Sequence, residues 1–219
     1  MSLSTIQIRM RQAVPCALLV LAIAAWAGKD FVMPVAQPAK NYPAHDAHID
    51  ELVTVGLDPY DQPGKGDIFS VKYTEVGYLP IFVVITNDGD ETISLAGMKA
   101  QLVTADRTKL SPADEDDLYR RLSHPSQGSR APLPLPLPPK IKGSVGQRAL
   151  DEIQNAHFAA RAVEPHSTQS GFLFFEVSGI SHPLDGAQFY LTGLRDAKGS
   201  DLMYFEVPLD KYVHPSANP

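Results

Sequence analysis

The chain has 219 residues, 44% of them hydrophobic and 20% charged, which is enough apolar mass for one packed domain with extensions and excludes wholesale disorder. Its net charge is −6, and the first 27 residues hold Arg9 and Arg11 with no acid, so setting those two positive charges aside leaves −8 on the remainder. So acidic a domain repels phosphate, which argues against nucleic acid as a partner and against docking on anionic lipid by charge alone.

Residues 1–27 have the layout of a signal peptide. Arg9 and Arg11 give a positive start, Ala13 to Ala25 is an apolar run, and Ala25-Trp26-Ala27 supplies small residues at a cleavage position. The run is shorter than the ~20 residues that a membrane-spanning helix needs. The expectation is export to the periplasm or the extracellular space, with no membrane span after cleavage. The alternative is a chain tethered by an uncleaved signal anchor. Cys16 and Trp26 are the only cysteine and tryptophan, so the mature protein would carry neither a disulfide nor a cysteine-based metal site.

Residues 28–50 contain Pro34, Pro38 and Pro43 among small and polar neighbours and read as a flexible tether. Strand signals follow over 52–57, 68–73 and 79–87, separated by a loop holding Pro59, Pro63, Gly64 and Gly66. The run LPIFVVITN at 79–87 is continuous in β-branched and aromatic residues, as a strand covered on both faces would be. Asn87-Asp88-Gly89-Asp90 supplies turn chemistry, and further strands are expected at 92–96 and 98–104. Residues 111–167 break this pattern. Ser111-Pro112-Ala113-Asp114 reads as a helix start, with the helix reaching about Leu122. Ala131 to Lys140 (APLPLPLPPK) favours polyproline II. A second helix is expected from Val145 to about Ala162, capped by Ser144, with Leu150, Ile153, His157 and Ala160 on one stripe. Strands resume at 169–178, 187–194 and 201–207, and 214–219 form a tail.

The expected domain therefore spans 51–213. It is all-β, an antiparallel sandwich of seven or eight strands with a helical, Pro-rich insertion at 111–167. Ile85-Thr86-Asn87 running through an acidic glycine turn into Ile93-Ser94-Leu95, with the later strand Ser170-Gly171-Phe172-Leu173-Phe174-Phe175-Glu176-Val177, resembles the telokin-like, immunoglobulin-type domains of bacterial secreted and lipid-anchored proteins. The resemblance covers about 52–104 and 169–207. It implies an immunoglobulin-like fold and an envelope location, and carries over no catalytic residue.

The densest cluster of ligand-type side chains is His45-Asp46-Ala47-His48, followed by Asp50 and Glu51. His45 and His48 at i, i+3 would meet on a helical turn, and with Asp50 they form a candidate Zn or Cu site, although ordering such a tether costs about 1–2 kcal/mol per residue. Asp58, Asp61 and Asp67 share a loop without EF-hand spacing. No G-x-S-x-G or P-loop pattern occurs, and Ser181-His182 and His166-Ser167 are adjacent pairs only. The sequence thus points to an exported, non-enzymatic domain without cofactor that binds an envelope or extracellular protein, with 111–167 as the expected variable surface. A His/carboxylate metal-binding protein and a hydrolase with a noncontiguous site are the alternatives. Among Phe172, Phe174, Phe175, Phe189, Tyr204 and Phe205, most should be core, with a minority facing out as a binding patch.

Overall fold

The computed structural model describes residues 30–62, 64–123 and 146–213; the expected leader, Pro-rich tract and tail lie outside them. The described residues form eleven strands: β1 (Ala44–His48), β2 (Val53–Pro59), β3 (Tyr78–Asn87), β4 (Ile93–Ser94), β5 (Lys99–Val103), β6 (Lys109–Leu110), β7 (Pro112–Ala113), β8 (Ala162–Val163), β9 (Ser167–Glu176), β10 (Gln188–Thr192) and β11 (Phe205–Pro208). The helices are α1 (Glu115–Ser123), α2 (Gln147–Ala156) and the short α3 (Asp210–Val213). A five-stranded sheet in the order β1-β2-β3-β9-β7 faces a four-stranded sheet in the order β11-β10-β5-β6, and β4 pairs with β8 at the side. Every strand pairing is antiparallel. The fold is an all-β sandwich.

Side-chain alternation builds two cores. One lies between the sheets. Val53, Val55 and Leu57 of β2, Leu79, Ile81, Val83 and Ile85 of β3, and Leu173 and Phe175 of β9 meet Leu102, Phe189, Leu191, Phe205 and Val207 of the opposite sheet. Phe175 and Phe189 close edge to face, centroids 6.1 Å apart. The second core covers the outer face of the five-stranded sheet, where Phe82, Phe172 and Phe174 pack under Tyr60, Phe69, Tyr73, Leu118, Ile153 and Ala156. All ten residues of β3 are therefore buried, as its continuous apolar run requires. Pro80 is tolerated inside that strand because its carbonyl accepts from Tyr60 N–H on the β2 side, just beyond the last β2–β3 pair, Pro59 and Ile81. Its missing N–H falls where β2 has already ended.

The following expectations change. Residues 30–50 are no tether, since Ala39 and Ala44 are fully buried and 44–48 pair with β2 as strand β1. The run 68–73 is no strand. It joins two 3₁₀ turns, Lys65–Ile68 and Tyr73–Val76, because Phe69 and Tyr73 fold down onto Phe172 and Phe174. The first helix begins at Glu115, with Asp117 N–H donating to Asp114 Oδ1 at 2.7 Å, while Pro112-Ala113 pair with β9. The second ends at Ala156, because the chain turns to lay Phe158 N–H on Phe172 O. A Cβ at Gly171 would stand 2.4 Å from Phe158 Cα, so glycine is what admits this crossing.

Candidate functional site

The β1–β2 turn, the β3–β4 turn and the connection into β9 share one end of the sandwich, and side chains bind them into a continuous rim. Asn87, 1% exposed, is the pin. Its Nδ2 donates to the carbonyls of Glu91 (2.8 Å), Val163 (3.2 Å) and Glu164 (3.3 Å), and its Oδ1 accepts from Gly89 N–H. Asp88 N–H donates to Leu52 O at 2.8 Å, joining the first turn to the second. His166 meets Asp90 at 2.9 Å, and Thr92 Oγ1 donates to Glu164. Met203 N–H donates to Glu51 Oε1 at 2.9 Å, which brings in the segment before β11.

On this rim stand Ile49 (82% exposed), Met203 (67%) and Leu52 (48%), among the exposed carboxylates of Asp50, Asp88, Asp90, Glu91 and Glu164. Leu52 has φ 55°, a left-handed conformation that Gly or Asn takes more cheaply than a bulky residue. Beside Met203 a groove of about 590 Å³ runs between Leu202-Met203-Tyr204 and Thr192-Gly193 with Gly97 and Lys99. Tyr204, 53% exposed, is the outward member of the aromatic set; the other five are buried.

The expected metal ligands diverge. In strand β1 residues i and i+3 point to opposite faces. His45 Nδ1 lies 2.6 Å from Tyr42 O, whereas His48 turns toward the sandwich interior and stacks on Phe205, centroids 3.9 Å apart. Asp50 is exposed in the turn. Among the described residues no group of three or more His, Cys, Asp or Glu is placed to hold a metal. The motif instead makes a clasp. His48 Nδ1 lies 2.8 Å from Glu51 Oε2 and its Nε2 3.3 Å from Asp46 Oδ2, and Asp46 Oδ2 also accepts Glu206 N–H of β11 at 2.9 Å. Sequence spacing reported the side-chain types but not the strand that separates them.

The opposite end is built from the β2–β3 connection and α3. Lys65 Nζ sits 2.5 Å from Asp58 Oδ1 and 4.9 Å above each of the Tyr60 and Tyr212 rings, while the Tyr212 hydroxyl donates to Asp61 Oδ1 at 2.7 Å. An ammonium group thus occupies the Asp58/Asp61 loop. Burial pushes the Tyr60 hydroxyl up to about 12, with the Asp58 charge adding to it. Nearby, Glu152 is 2% exposed and accepts Ser70 N–H (2.5 Å) and Val71 N–H (3.3 Å). It is not part of the stripe Leu150, Ile153, His157 and Ala160, and no local signal marks it, because its partners lie about eighty residues away in sequence. The neighbouring pair His166-Ser167 turns to other partners. Ser167 Oγ donates to Glu164 O, and His166 turns to Asp90.

No family model and no curated protein matches the sequence. Among solved structures the chain is similar to a candidate lipoprotein of Bacillus subtilis, ycdA, at 17% identity and a TM-score of 0.36, over 80% of this chain and 42% of that one. It is also similar to the structural-genomics target SoR45, at 9% identity and a TM-score of 0.29, over 73% of this chain and 88% of that one. The chain thus spans less than half the length of the Bacillus protein. With likeness at this level, function has to be read from this chain's own residues.

Proposed function

We propose that the chain is an exported, non-enzymatic binding module of the cell envelope or the extracellular space, and that it docks a protein partner end-on through the rim. The observation that carries this is the set of exposed apolar side chains, Ile49, Leu52 and Met203, standing together among carboxylates on loops that the sandwich holds rigidly. Solvation gains nothing from three such residues at one end, and Leu52 adds backbone strain there. Contact with a partner offsets both. The flanking Asp50, Asp88, Asp90 and Glu91 select a partner whose apolar contact is bordered by Lys or Arg. The leader-like residues 1–27 supply the route of export.

A photo-reactive residue placed at Ile49, Met203 or, as control, Lys109 tests this in intact envelope preparations. Adducts are expected from the first two and not from the third, fading in about 0.5 M salt as the charge contribution is screened. Leu52→Asn should keep or raise the melting temperature while the adducts weaken. Equal adducts from all three positions would remove the proposal.

A further inference from the structure

We infer that the docking site continues from the rim into the groove beside Met203 and that it is charge-polarised: it takes an apolar anchor side chain with a carboxylate on one side and Lys or Arg on the other. This rests on end-on docking and names the partner's recognition element.

Two glycines let the backbones that line the groove close on each other. Gly193 has φ 79°, and a Cβ there would stand 2.1 Å from Gly97 O. A Cβ at Gly97 would lie 3.0 Å from Gly193 O. The floor is therefore bare backbone meeting bare backbone, below a wall of Leu202, Met203 and Tyr204. Tyr204 is held from behind by Tyr190, ring centroids 6.3 Å apart, and Tyr190 is itself fixed by donating its hydroxyl to Glu206 Oε1 at 2.9 Å. A shallow apolar groove with an aromatic wall offers a seat for one large anchor residue.

The charges around it are ordered. Arg195, on the groove's border, is compensated by Asp201, Nε to Oδ1 2.7 Å. Lys99 is exposed on that same border and makes no ion pair among the described residues. In the other direction the chain of contacts runs from Met203 to Glu51, and from Leu52 to Asp88, into the carboxylates of Asp50, Asp88, Asp90 and Glu91. The order across the surface is positive, apolar, negative. A uniformly basic ligand meets Lys99 at one end, and a uniformly acidic one meets the rim carboxylates at the other.

Three fluorescent heptapeptides with a central Trp serve as probes for anisotropy titration against the mature chain: one with two Glu on one side and two Lys on the other, one with Lys on both sides, one with Glu on both. The polarised probe should bind about tenfold tighter than either uniform one. Lys99→Glu should reverse the preference toward the all-Lys probe, and Thr192→Trp, which fills the groove from an exposed position, should weaken the polarised probe. Both substituted side chains are exposed, and an unchanged melting temperature confirms that each variant is folded. Three probes binding alike, or an order that Lys99→Glu leaves untouched, overturns the inference. If the Ile49 adduct persists under that outcome, end-on docking survives without the groove; if the adduct is also missing, both fall.

Discussion

Asn87 holds one end of the molecule together with a single amide. Its sequence context marks a turn, and the turn is there, but neither Asn87 nor Gly89 adopts the positive φ that the motif offers. What the position needs is a side chain that donates toward three carbonyl oxygens and accepts from one N–H. That identifies the isosteric change as the harmful one. Asn87→Ala loses the hydrogen bonds and leaves buried groups unpaired, costing about 2–3 kcal/mol. Asn87→Asp places a buried carboxylate against those carbonyls and should cost more than Ala does, in spite of its matching shape. Urea unfolding at pH 7 orders the three proteins; Asp at least as stable as Ala would refute the role. Leu52 and Tyr204 sit at this same scale. Exposure of an individual apolar residue is set by where the turns come together in space, so the sequence identified Tyr204 only as one of six aromatic candidates.

At the scale of elements, legibility followed how local the cause was. The strand β3 was readable because burial on both faces writes itself into ten consecutive residues, Tyr78 to Asn87. The strand β1 was not, because three of its five residues are polar and it is held as a strand by its register with β2, from Ala44–Leu57 to His48–Val53; the same extended backbone separates His45 from His48, which only a helical turn would bring together. The helix α2 falls between these cases. Its existence showed in the apolar period, while its principal anchor, Glu152, did not. Glu152→Ala removes the acceptor of two backbone N–H groups and should cost about 3 kcal/mol, with Glu152→Gln losing roughly half of that, since one oxygen remains. Chemical denaturation measures both. A neutral Glu152→Ala would mean that α2 is placed by Ile153 and Ala156 alone.

For the whole molecule, the buried titratable groups define a pH window. On the alkaline side burial pushes Tyr60 up to about 12 and lifts Tyr73 and Tyr212 further. An unfolded tyrosine ionises near pH 10. The raised groups contribute stability that is complete below about pH 10 and is lost as the pH climbs toward their folded values, because the unfolded chain releases those protons first. On the acid side burial lowers His157. Its unfolded counterpart takes up a proton near pH 6.5, so its contribution is complete above about 6.5 and is lost as the pH falls toward the lowered folded value. Stability should therefore be flat between about pH 6.5 and 10 and fall on either side. Tyr60→Phe should make the alkaline fall shallower with little change at pH 7, and His157→Gln should do the same to the acid fall. Unfolding free energies at stepped pH test this; a Tyr60→Phe curve superimposable on the parent's above pH 10 would contradict it.

The carboxylates of Asp46 and Glu51 have an effect beyond their own neighbourhood. By taking up Glu206 N–H of β11 and Met203 N–H of the segment before it, they occupy donors along this edge, where a strand from a second molecule would otherwise add on. On the far side the chain itself passes from one sheet to the other through Lys109–Ala113. Growth of fibres by lateral strand addition is thereby opposed along both flanks, which leaves the loop-bearing tip as the place where the molecule can make company.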